Sequence, residues 1–260
     1  MIRGIFAIVV LDVKRAWIDR MRLISGVAQP LLYLFVLGAG LGGNSRFGGG
    51  DYQRFIYPGV MGLALLFSAV FAAIIIVFDR QVGFFKAVLV SPLPRASIAF
   101  GKIASGAVQA LMQGIILLPF APLAGVHLGF LSFVGLVGAM VLAAVSFSAM
   151  GVTAAARFTS TTVFPVISNA LLLPMYFMSG ALYPLRSAPH WMRVATWFDP
   201  VAYAVDLMRG AVVGTYYFPP LVSVAVLVGL IGLLGAIAVR MFSRGEDDSI
   251  LGETRMKWKR

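Results

Sequence analysis

Few residues of this chain carry groups able to do chemistry, and two stretches away from the termini each gather several of them. The first reads DRQVGFFKAVLVSPLPRASIAFGK over Asp79–Lys102 and holds the charges Asp79, Arg80, Lys86, Arg95 and Lys102. The second reads FMSGALYPLRSAPHWMRVATWFDPVAYAVDLMRG over Phe177–Gly210 and holds Arg186, His190, Arg193, Asp199, Asp206 and Arg209. Neither has the spacing of a catalyst. No G-x-x-x-x-G-K-[ST] loop is present, and Gly101-Lys102 lacks both its spacing and its hydroxyl residue, so no nucleotide site is expected. G-x-S-x-G and H-E-x-x-H are also absent. The two histidines, His127 and His190, are far apart in sequence, and a zinc site needs three or four protein ligands, so no metal site is expected. The absence of cysteine removes thiolate metal sites, iron–sulfur clusters and disulfides. The expectation is a chain that is not an enzyme and has no cofactor of its own.

The elements that carry these stretches are set by hydropathy. The chain has 260 residues, 60% of them hydrophobic and 12% charged, with mean hydropathy +0.93. A soluble domain carries about 25% charged residues, and part of its surface must always face water, so this composition belongs in lipid. About 20 apolar residues span a hydrocarbon core as a helix. Six stretches qualify, near Leu23–Gly43, Phe55–Phe78, Gly101–Ala124, Phe130–Ala154, Thr161–Ala181 and Pro219–Val239. None contains Asp, Glu or Arg, and Lys102 lies at an end. Their polar members are neutral, Gln29, Gln109, Gln113, Ser168 and Asn169 among them, and suit helix–helix hydrogen bonds or the lining of a path. Ser146, Ser148 and Thr153 can bond back to the preceding turn. Ion-coupled carriers usually keep Asp, Glu or His inside their spans, and none is seen here. Any active transport therefore needs energy from outside the chain.

The net charge of +11 reads as membrane topology and contact with anionic headgroups rather than nucleic-acid binding. With six spans both termini share one side. That side receives 16 of the 21 basic residues; Arg46, Arg54, Arg186, Arg193 and Arg209 face the other. Both termini are therefore expected in the cytoplasm. No cleavable signal peptide is evident. Residues 1–22 place Ile2, Ile5, Phe6, Val9, Val10, Val13 and Trp17 at helical spacing. They read as an amphipathic helix, lying in the interface or packed on protein. The loop at 79–101 offers a short helix with Val82, Phe85, Val88 and Leu89 on one face, ended by Pro92 and Pro94. It is expected to dock on a protein surface or on neighbouring spans. The external segment 182–218 offers two short helices broken at Asp199-Pro200, with Asp206 and Arg209 spaced to pair. They suggest a re-entrant or interfacial hairpin, and Trp191 and Trp197 also suit an interfacial belt. Small residues at Gly38, Gly40, Gly42, Gly43, Gly59 and Gly62 suit a dimer interface or packing within the chain. The organisation expected is all-α: an amphipathic helix (1–22), a six-span domain (23–241) and a cytoplasmic tail (242–260).

These residues resemble the type 2 ABC exporter permeases, which include drug-export, nodulation-factor and polysaccharide-export membrane subunits. Asp79–Lys102 looks like the family's first cytoplasmic loop, an acidic–Gly–apolar–Ser-Pro–Arg–Gly-Lys pattern. Phe177–Gly210 looks like its external signature, above all in Ser179-Gly180, Tyr183-Pro184, Asp199-Pro200 and Asp206 through Arg209. One departure is that many members carry a second acidic residue in the loop, where Gln81 and Lys86 stand here. The resemblance implies an inner-membrane export permease that pairs with a second copy and with a separate ATPase, which would hold ATP and magnesium. It implies ATPase coupling through Asp79, Arg80, Val82, Gly83, Phe85, Lys86, Leu89, Ser91, Pro92 and Arg95. It implies an external hairpin role for Trp191, Trp197, Asp199, Pro200, Asp206 and Arg209.

Overall fold

The computed structural model describes residues 2–18, 20–38, 40, 52–82 and 94–257, and every regular element among them is helical. Helix α1 (Ile2–Ile18) is followed by α2 (Arg20–Leu32), which runs into π-helical turns over Tyr33–Leu37. Pro30 lies inside α2 upstream of these turns, where it lacks an N–H for the Gly26 carbonyl one turn back. Helices α3 (Tyr52–Ala72) and α4 (Ile74–Gln81) form one span broken at Ala73, where hydrogen bonds tighten to Val70 and from Ile76. Next come α5 (Arg95–Leu117), α6 (Phe130–Ala155) and α7 (Val163–Met178). Segment 182–218 holds α8 (His190–Thr196) and α9 (Pro200–Val213), and α10 (Pro220–Lys257) ends the described chain. The helix of the last span thus continues without a break into the expected tail.

Four of these helices are long and apolar enough to cross a membrane: Tyr52–Gln81, Ala96–Phe120, Phe130–Ala155 and Pro220–Phe242. The expected first and fifth spans are shorter apolar helices, Gly26–Leu37 and Val163–Met178. The chain is an all-helical, multi-pass membrane protein.

Helix α3 forms the centre, with Ile56, Tyr57, Met61, Leu65, Leu66 and Ala69 almost fully buried against α5, α6 and α9. Two glycines permit the close approaches. A side chain at Gly151 of α6 would strike the Val70 backbone, and one at Gly59 would strike the Ala181 carbonyl. Gly62 likewise meets Val205, so Gly59 and Gly62 serve packing within the chain. Helix α6 is tied to α10 at two levels seven residues apart: Ser146 Oγ donates to Leu227 O at 3.4 Å and Thr153 Oγ1 to Leu234 O at 3.1 Å. Both hydroxyls also bond back to their own preceding turn, as expected, whereas Ser148 crosses to Ile103 O at 2.7 Å.

Helix α1 packs against α5, burying Gly4, Asp12 and Ala16, while Phe6, Leu11, Trp17 and Ile18 remain exposed. One side of α1 thus meets protein, as one of the two readings of its sequence expects, and its other side is exposed.

Candidate functional site

Of the residues assigned to ATPase coupling, Gly83, Phe85, Lys86, Leu89, Ser91 and Pro92 lie outside the described residues. Asp79, Arg80 and Val82 end the helix on one side of them, and Arg95 opens α5 on the other, after Pro94 at the cap. Val82 is exposed (58%). Arg80 Nη1 donates to Ala156 O at 2.6 Å, at the C-terminus of α6, where the carbonyls are unpaired and the helix dipole favours a cation. Thr161 Oγ1 donates to Gln81 Oε1 at 2.9 Å, bringing the start of α7 to the same end.

Asp79 does not project toward solvent. It is 4% exposed and belongs to a buried charge cluster centred on Lys102. Lys102 Nζ lies 3.0 Å from Asp12 Oδ2 and 3.6 Å from Asp79 Oδ2, and Arg15 Nη1 lies 3.9 Å from Asp79 Oδ1. Ser105 Oγ donates to Asp12 Oδ2 at 3.0 Å. Two carboxylates and two cations balance, which is how charges survive burial. The cluster joins three elements, α1 through Asp12 and Arg15, α4 through Asp79, and α5 through Lys102 and Ser105. It therefore clamps the N-terminal helix to both flanks of segment 83–93.

Sequence reasoning missed Asp12 and Ser105 and treated Lys102 only as a residue at a span end. A signal was present. Asp12 falls on the line Ile5, Val9, Asp12, Ala16, so an acid occupies the packing face of α1, and an acid buried there needs a cation.

The expected hairpin forms as two helices broken at Asp199-Pro200. The Asp199 carboxylate caps α9, accepting from Val201 N at 2.9 Å, and Pro200 takes the first helical position, where no N–H is needed. Its second oxygen, Oδ2, is buried without a hydrogen-bond partner, and burial pushes the carboxyl up to about 7. Helix α9 is buried almost all round, from Val201 through Gly210, whereas Trp191, Trp197 and Phe198 around α8 are exposed.

The expected Asp206–Arg209 pair does not form by direct contact, because each side chain has backbone to satisfy. Asp206 accepts from Tyr217 N at 2.8 Å and Phe218 N at 3.0 Å, closing the turn before α10. Arg209 Nη2 donates to Gly180 O at 2.8 Å beyond the end of α7, and its guanidinium lies 4.1 Å from the Phe55 ring centroid. The hairpin is thus pinned to the start of α3, the end of α7 and the turn before α10. The arrangement at both ends of the bundle is bracing; no group of three or more His, Cys, Asp or Glu that could hold a metal occurs among the described residues.

Comparison with known proteins shows which family the chain falls in. The chain is 30% identical over 195 residues to nodulation protein J of Rhizobium leguminosarum bv. trifolii, covering 74% of each protein. It is 28% identical over 207 residues to the putative transport permease ycf38 of Cyanophora paradoxa, covering 76% of this chain and 71% of that one. It is 27% identical over 215 residues to a probable doxorubicin resistance ABC transporter permease protein, DrrC, of Mycobacterium tuberculosis, covering 80% of this chain and 76% of that one. The model of the ABC-2 type transporter family matches residues 3–213, from α1 through α9, and the chain belongs to that family.

Proposed function

We propose that this chain is the membrane subunit of an ATP-driven exporter. It sits in the plasma (inner) membrane with both termini in the cytoplasm and carries an amphipathic or hydrophobic substrate outward. A separate ABC ATPase supplies the energy and holds ATP and magnesium, and a second permease copy completes the path. The chain itself performs no catalysis. The observation that carries the reading is the Lys102 cluster: a partner pressing on segment 83–93 would act on a block that includes α1, α4 and α5 rather than on a loose loop.

Six crossings are supported by which ends meet. Asp12 touches Asp79 and Lys102 through the cluster, so α1 lies at the cytoplasmic end of α4, while Gly38 lies against Gln53 at the opposite end of α3. Residues 20–38 therefore run from one end to the other. Thr161 bonds Gln81 and Leu182 O accepts from Tyr52 Oη at 3.1 Å, so α7 also runs end to end.

The test is Phe85→Ala with Leu89→Ala, between Val82 and Pro94 in sequence. Burying one large apolar side chain is worth about 1.5–3 kcal/mol, so the double variant should weaken ATPase capture by about a hundredfold or more. Capture of the co-expressed ATPase is measured per folded permease. Undiminished capture by well-folded double variant rejects the loop as the docking element.

A further inference from the structure

A groove of about 280 Å³ opens between α2, α3 and α5. Its polar lining is Gln29, Ser68 and Gln113, its aromatic wall is Phe67 and Phe71 with ring centroids 5.7 Å apart, and none of its lining residues is charged. Ser68 lies near the middle of the 30-residue Tyr52–Gln81 helix, so the groove sits at hydrocarbon depth. Gln113 is buried at its base and Gln29 is exposed at its edge. An exposed amide facing acyl chains would lose its hydrogen bonds to water with nothing to replace them. Such a face is suited to a polar occupant instead.

We infer that this groove is a binding site for an uncharged, hydroxyl-bearing head group of a transported amphipath. Resting on the export reading above, the inference narrows its substrate class. Gln29 offers both donors and acceptors at the groove's edge and Ser68 a hydroxyl, the set that recognises hydroxyls, as in a glycosyl group. Phe67 and Phe71 supply an apolar wall for the ring or the start of the chain. A phosphate or carboxylate finds no cation here, and an ammonium finds no carboxylate, so charged head groups are excluded by desolvation. The volume suits one ring-sized group at the small end of ligand pockets, with the apolar body left toward the open side.

The experiment uses the full chain in nanodiscs without ATPase, and fluorescently labelled glucosylceramide as probe, with the same label on phosphatidylglycerol as the anionic counterpart. Saturable binding of the glucosyl probe is expected. Gln29→Leu with Ser68→Ala should weaken it about tenfold, the loss of one to two hydrogen bonds. Gln29 is exposed, so the single Gln29→Leu variant keeps the test valid if the double variant folds poorly; it should weaken binding by a smaller factor. Absence of saturable binding, equal binding of the phosphatidylglycerol probe, or undiminished binding by folded Gln29→Leu would each overturn the assignment. The Phe85→Ala, Leu89→Ala variant should bind the probe normally, which separates failure of the groove from failure of ATPase docking.

Discussion

Lys102 faces two carboxylates at a depth where water cannot screen them, and it is only 8% exposed. Removing one member of a buried ion pair leaves an uncompensated charge and costs about 3–5 kcal/mol. Lys102→Met should therefore lower the unfolding midpoint in nanodiscs sharply. Adding Asp12→Asn to that variant should recover part of the loss, because one stranded carboxylate is gone; a loss below about 1 kcal/mol in Lys102→Met would mean a screened pair. Asp199 makes a second prediction. Its folded pKa, about 7, lies above the unfolded value near 3.8, so the folded hairpin holds the proton more tightly. Its stabilising contribution is full below about pH 4, falls as pH rises, and is gone above about pH 7. Asp199→Asn keeps an oxygen for the Val201 N–H and should flatten that decline in a pH series of thermal unfolding. Asp199 was legible from sequence because a cap and its proline are adjacent. The Lys102–Asp12 pair was not, because its partners are 90 residues apart and only the docking of α1 on α5 brings them together.

At the scale of elements, apolar periodicity and proline placement were enough to find the two hairpin helices and the break between them. They could not tell what covers each face. The glycines show why: Gly138 and Gly151 both lie on α6 and look alike in sequence, yet a side chain at Gly138 would meet nothing within 4 Å, while one at Gly151 would meet the Val70 backbone. Gly138→Leu should be tolerated. Gly151→Leu must push α6 off α3, and overpacking of that kind typically costs about 1–3 kcal/mol. Monodisperse yield on size exclusion in detergent distinguishes them, and equal yields would contradict the contact. The two short spans differ from the other four in helix length: the apolar helices run only over Gly26–Leu37 and Val163–Met178, although the apolar stretches in sequence are longer.

For the whole molecule, the distribution of Lys and Arg and the contacts between helix ends address topology independently. Charge asymmetry alone assigns a side to each loop only after the number of crossings is assumed. If α2 and α7 did not cross, the four long helices would still leave both termini on one side, and Ser187 would still face outward. Segment 79–102 would then lie outside, on the opposite face from α1, and Asp12 could not reach Lys102. Labelling at Ser45 separates the two cases, since it precedes the Tyr52–Gln81 helix: six crossings put it outside, four put it in the cytoplasm. The chain contains no cysteine, so each introduced thiol is the only one. In sealed cells Ser45→Cys and Ser187→Cys should react with an impermeant maleimide, whereas Ser160→Cys and Ser249→Cys should react only after permeabilisation. A protected Ser45→Cys together with an externally reactive Ser160→Cys would reduce the crossings to four, and external labelling of Ser249→Cys would reverse the cytoplasmic placement of the C-terminus.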